Sequence, residues 1–141
     1  MGIMINKFNT DQIDYILNFQ EAKYHDLGWL WDAIDSLERN IGLPISLINN
    51  FALKKELFFN MLRKSILENK LKLARNNKIL DGEISEILSE FSLIFPISEE
   101  SCDDLGGVNV WLILNSEEYC PFWPVWVDTD ENSNEKLWWA E

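Results

Sequence analysis

Residues 50–69, NFALKKELFFNMLRKSILEN, run straight into KLKLA at 70–74. Wound at helical pitch, Phe51, Leu57, Phe58, Phe59, Met61, Leu62 and Ile66 spread over an arc wider than the roughly 100° stripe of a surface helix. Glu56, Asn60, Arg63 and Lys64 hold the remaining side. A helix apolar over that much of its girth must be covered from two directions, so it is the central element, with Phe58 and Leu62 buried. After it, Leu71 and Leu73 alternate with Lys70 and Lys72 at the period of a strand. Asn76-Asn77 supplies turn residues that tolerate left-handed backbone, and Lys78-Ile79-Leu80 returns as a short second strand.

Upstream, Thr10 caps a first helix carrying Ile13, Ile16 and Leu17, which ends near His25. Asp26 caps a second, in which Leu27, Leu30, Trp31, Ile34 and Leu37 recur at helical spacing and Asp35 pairs with Arg39. Gly42 and Pro44 stop it. Downstream, Asp81 caps a helix with Ile84, Ile87, Leu88, Phe91 and Phe95 inward and Glu83, Glu86 and Glu90 outward. Pro96 ends it. Ser98 caps a turn through Cys102 that Gly106-Gly107 breaks. Val108, Val110, Leu112 and Leu114 then alternate as a strand. Pro121 and Pro124 make the following piece extended but unfit for a central strand. Val125-Trp126-Val127 and Leu137-Trp138-Trp139 form two more strands, joined by the polar loop Asp128 to Lys136. The sum is one α+β domain over residues 1–141: a predominantly helical body, a short hairpin and a small C-terminal antiparallel β-meander.

A chain of 141 residues is long enough to bury roughly 68–70% of its unfolded surface without disulfide or metal. Its 47% hydrophobic and 26% charged content is that of a globular protein rather than a disordered one. Cys102 and Cys120 form no CxxC and read as two free thiols in a reducing cytoplasm, with a single disulfide as the alternative. The N-terminus has no signal-peptide core, and no run approaches the roughly 20 apolar residues of a spanning helix. A cytoplasmic, monomeric or weakly dimeric protein is expected.

Charge is unevenly spread. The net −12 divides into 11 basic and 9 acidic side chains in residues 1–80, and 1 basic (Lys136) and 15 acidic in residues 81–141. The second region attracts cationic partners and repels nucleic acid.

Catalytic patterns are missing. His25 is the single histidine, so neither a His-rich metal site nor a triad has its parts. Cys120 stands among Pro121, Phe122, Trp123 and Pro124 with no basic activator. The loop from Asp128 resembles the start of an EF-hand, but Ser133 stands where the sharp turn needs glycine and Trp139 where a bidentate glutamate is needed. No enzyme activity, metal or cofactor is therefore expected. The basic stretch Lys54 to Lys78, a helix followed by a hairpin, leaves a winged-helix nucleic-acid binder as one alternative, opposed by the overall charge. An acidic regulator or nucleic-acid mimic that binds basic proteins is another.

The last 30 residues combine Trp111, Tyr119, Phe122, Trp123, Trp126, Trp138 and Trp139 with many carboxylates. Rigid rings beside charge are what protein-binding hot spots use; Trp111 and Trp126 also suit packing of a sheet onto helices. The partner surface expected from this coincidence is Glu117, Glu118, Trp123, Asp128, Asp130 and Glu131.

Lys54-Lys55-Glu56-Leu57-Phe58-Phe59, Leu71-Lys72-Leu73-Ala74, Ile79-Leu80-Asp81-Gly82 and Phe95-Pro96 resemble a bacterial domain-of-unknown-function family, number 596. Gly106-Gly107, Trp111, Cys120-Pro121, Val125-Trp126 and Trp138-Trp139-Ala140 continue the pattern, so the resemblance covers about residues 27–140. It implies a compact cytoplasmic protein, some relatives being encoded beside secreted contact-dependent toxins. By that resemblance the chain is an immunity protein that binds and neutralises a cognate toxin domain, a basic nuclease fitting the acidic charge. No catalytic residues come with the family.

Overall fold

The computed structural model describes residues 25–34 and 50–140. The helix capped by Thr10 and the stretch from Asp35 to Pro44 lie outside these residues. Helix α1 spans Leu27–Ile34, α2 Phe51–Leu67 and α3 Ile84–Ile94; strands β1 and β2 are Leu71–Arg75 and Lys78–Ile79. A 3-10 helix, Glu100–Leu105, leads to α4, Val108–Ile113, and strands β3 (Phe122–Thr129) and β4 (Glu135–Trp139) close the described chain.

The start and stop of α2 are written in two asparagines. Asn50, in extended conformation, accepts the Leu53 N–H on its side-chain oxygen at 3.0 Å, meeting one of the orphan donors of the first turn. At the other end Asn69 takes φ 57°. The Asn69 N–H then bonds Ile66 O at 3.0 Å and the Lys70 N–H bonds Ser65 O at 2.8 Å, the paired bonds of a Schellman ending. Between the caps Leu53, Leu57, Phe58, Met61 and Leu62 are buried, with Phe51, Phe59 and Ile66 packed on the core edge. The broad apolar arc is met by α1, α3 and β1. Phe58 lies edge-on to Phe59, Phe91 and Trp31 at centroid distances of 5.4, 6.3 and 5.6 Å, geometries that suit the ring quadrupole.

Asp26 caps α1, accepting the Trp29 N–H at 3.1 Å. Trp31 is fully buried, its indole N–H donating to Glu99 Oε1 at 3.1 Å while Lys54 Nζ sits 4.3 Å over its ring. Helix α3 begins later than Asp81, with Glu83 at its N-cap and no side-chain cap bond. The reason is local: the Leu80 N–H still bonds Leu73 O, so the chain leaves the hairpin only at Asp81 and needs two residues to turn. The Ser98 hydroxyl accepts the Ser101 N–H at 3.2 Å, but the N-cap is Glu99, without a side-chain cap bond, and the turn is a 3-10 helix that runs to Leu105. Gly106, at φ 104°, ends it in a conformation that side chains resist.

Residues 108–114 differ from the sequence expectation. Residues 108–113 form α4, with Leu114 as its C-cap, not a strand. Val108, Trp111 and Leu112 are buried while Ile113 and Leu114 are exposed, which is the i, i+3, i+4 face of a helix. So short a run fits either period, and tertiary contact decides between them. Helix α4 lies against α1 at Gly28, where an added Cβ would sit 2.7 Å from Asn109 O.

The hairpin and the C-terminal strands share one antiparallel sheet of order β2-β1-β3-β4, so the expected hairpin and C-terminal strands of this α+β domain are joined. Pro124, expected to keep its segment out of the middle, lies inside the central strand β3, opposite Leu73. Val127 N–H bonds Lys70 O, so by the alternation of an antiparallel ladder Pro124 turns its nitrogen toward β4 rather than β1. There it faces Ala140, whose N–H bonds Pro124 O at 3.3 Å. The return bond, which proline cannot make, is replaced by the indole N–H of Trp123, 2.6 Å from Ala140 O. A side chain supplies the missing donor. Leu71, Leu73, Phe122 and Trp126 join the core, and the Trp126 indole N–H donates to His25 O at 2.8 Å.

Candidate functional site

The six residues singled out from the sequence fall at two ends of the sheet. Glu117 and Glu118 lie in the loop before β3, and Asp128, Asp130 and Glu131 at its far end and in the loop to β4. The eight residues of β3 put roughly 23 Å between those ends.

Glu117 is tied down: Arg75 grips its two oxygens at 3.0 and 2.8 Å and reaches Glu90 at 2.8 Å. The Arg75 hydrogen bonds hold the Glu117 carboxyl below its usual range, and Glu117 in turn raises the guanidinium. This cluster bridges β1, α3 and the 115–120 loop. Glu118 is exposed, its N–H bonded to the Ser116 hydroxyl. Trp123 is half-buried and committed through its indole to Ala140. Asp130 organises its own loop, one oxygen accepting the N–H groups of Asn132 and Asn134 at 2.9 Å each, and Ser133 takes φ 64°. Glu131 is exposed and Asp128 half-exposed.

The fold adds a feature that the sequence pattern could not place. Among the described residues β4 is an edge strand, and every one of its residues is exposed. Leu137, Trp138 and Trp139 show 39%, 42% and 42% of their surfaces, far more than Trp111 and Trp126, which are buried in the core. Glu135 stands at its start, accepting from Asn69 at 2.7 Å, and Lys136 lies 4.7 Å over the Trp138 ring. Acidic loop and exposed rings therefore meet along β4. The residues Leu137, Trp138, Trp139 and Glu135 complete the candidate surface; nothing in a single sequence separates an edge strand from a central one.

Four of the eight basic residues from Lys54 to Lys78 face carboxylates. Lys54 is buried, with Nζ 3.9 Å from Glu99; Lys64 and Lys70 both face Glu68, at 3.8 and 3.0 Å; Arg75 is held as described. A cleft of about 620 Å³ opens between α2 and α3, lined among others by Lys55, Glu56, Phe59, Arg63, Ser85 and Ser89. Lys55, its pKa lowered by burial, donates to Ser92 O at 3.2 Å, and Arg63 to the Ser85 hydroxyl at 3.3 Å. No nucleophile–base pair is assembled there. Both thiols are free and buried. Burial pushes Cys120 up to about 12 and raises Cys102, the opposite of an activated nucleophile. His25 stacks on Trp29 at 4.3 Å. Among the described residues no group of three or more His, Cys, Asp or Glu could hold a metal, and no helix is long and apolar enough to cross a membrane.

Fold and surface together describe an α+β domain whose candidate site is an acidic, aromatic sheet edge. The family model described as "Protein of unknown function, DUF596" matches residues 66–140, more than half of the chain, and the chain belongs to that family. An uncharacterized protein conserved in bacteria, from Neisseria meningitidis, has a similar structure, with a TM-score of 0.70 over 96% of this chain and 93% of that one at 22% sequence identity. At that identity the likeness is one of fold. No curated protein matches the chain.

Proposed function

We propose that this chain is an immunity protein that binds and neutralises a cognate secreted toxin domain, with the β4 edge and the acidic loop before it as the contact surface. The observation that carries the reading is the coincidence of exposed Leu137, Trp138 and Trp139 with Asp130, Glu131 and Glu135 on one strand and its turn. Exposed aromatics of this kind anchor protein interfaces, and surrounding carboxylates steer a basic partner such as a nuclease onto them. The basic side of the molecule supports nucleic-acid binding less well, because Lys54, Lys64, Lys70 and Arg75 already face carboxylates.

The test begins with the neighbouring genes: any small secreted domain encoded there is co-expressed with this protein. Growth of cells making that domain is expected to be restored by this protein, and the two should co-purify. Restoration by a Trp138→Ala, Trp139→Ala variant at wild-type potency would remove this surface from the interface. Failure of the wild-type protein to bind or protect would overturn the function.

A further inference from the structure

We propose that β4 takes a fifth strand: an extended segment of a partner protein, basic at one end and apolar at the other, pairing with the backbone of Glu135, Leu137 and Trp139. The proposal rests on the partner-binding reading above and names how that surface works.

Ladder alternation defines the open groups. Because Ala140 bonds Pro124, the residues of β4 that exchange hydrogen bonds with β3 are Lys136, Trp138 and Ala140. Glu135, Leu137 and Trp139 therefore direct their N–H and C=O groups outward, away from the sheet. An exposed edge of that kind is a template for pairing, which proteins ordinarily blunt with proline, a bulge or inward-pointing charge. β4 has no proline and no bulge, five residues pairing with β3 in unbroken register from Val125↔Trp139 to Thr129↔Glu135, and its charges, Glu135 and Lys136, are confined to its first two positions. The opposite edge, β2, is only two residues long.

Side chains specify the occupant. Asp130, Glu131 and Glu135 cluster at the loop end of β4, and Leu137 and Trp139 on its other half. A strand antiparallel to β4 would thus place apolar residues first and lysine or arginine last. A second copy of this chain is the competing occupant, since two β4 strands pair symmetrically about Leu137. Charge decides against it. Each copy carries −12, so two copies repel through their net charge, whereas a cationic strand is attracted.

The experiment uses the full chain and a capped Val-Thr-Val-Thr-Val-Lys-Val-Lys-Val-Lys peptide. Amide exchange at Leu137 and Trp139 is expected to slow by about tenfold or more with peptide bound, as new backbone hydrogen bonds form. The same peptide N-methylated on the amides that face β4 keeps its charge and should bind about tenfold more weakly, as should wild-type peptide to Leu137→Pro. That substitution removes an outward N–H and no bond to β3; the methylated peptide keeps the test sound if the variant fails to fold. Equal binding of the methylated peptide, absence of binding, or a β4-paired dimer of this chain by light scattering would each overturn the proposal. Toxin protection without peptide binding would overturn strand addition alone; peptide binding without protection would overturn the immunity function alone.

Discussion

A methyl group at residue 28 has nowhere to go. A Cβ there would stand only 2.7 Å from Asn109 O. Gly28→Ala must therefore push α1 and α4 apart, and overpacking of this kind costs about 1–3 kcal/mol. Urea unfolding measures it, and a neutral result would show that α4 does not need this contact. Cys120 makes a second residue-scale prediction. Its neutral thiol is favoured in the folded protein because burial lifts its pKa to about 12 from an ordinary 9.0. Stability from this group is therefore full below pH 9 and falls as pH rises toward 12, because the unfolded thiol ionises first. Native protein should resist thiol reagents at pH 8 and react on unfolding; fast native labelling would contradict the burial. Glu117 has the opposite sign. Arg75 depresses its pKa from 4.5, so the Glu117→Gln variant should lose stability relative to wild type above pH 4.5, the difference vanishing as the pH falls through the depressed value.

At the scale of elements, the legible parts were those whose signals are local. The Asn76-Asn77 turn carries its conformation in its own side chains, with φ 55° and 64°. Asn76→Ala should cost roughly 1–2 kcal/mol, the penalty of a left-handed residue with an ordinary Cβ, measurable by thermal or urea unfolding. Helix α4 was not legible, because the choice between periods two and 3.6 over so few residues rests on α1, far away in sequence. Nor was the central place of β3: Pro124 argues against it until the Trp123 indole is seen to replace the missing donor. The candidate surface was half legible. Acid and aromatics stand out in the sequence, but which carboxylates sit together depends on the length of β3, and Arg75 occupies Glu117 through a long-range contact that no spacing reveals.

For the whole molecule, the broad apolar arc of α2 makes one core of helices and sheet. Phe58→Ala, at a fully buried site, should remove about 3–5 kcal/mol of stability and leave little folded protein at moderate urea. The outside of that core divides by charge: four of the eight lysines and arginines from Lys54 to Lys78 are matched by carboxylates, and the acidic excess gathers in residues 81–141. Only along β4, among the described residues, does that excess adjoin exposed rings on an open edge. The direct test of the central claim is hydrogen–deuterium exchange of the full chain, with and without a toxin domain against which it protects. Protection concentrated in residues 128–140 is predicted, strongest at Leu137 and Trp139. Protection confined to the cleft between α2 and α3, with 128–140 unchanged, would contradict the account.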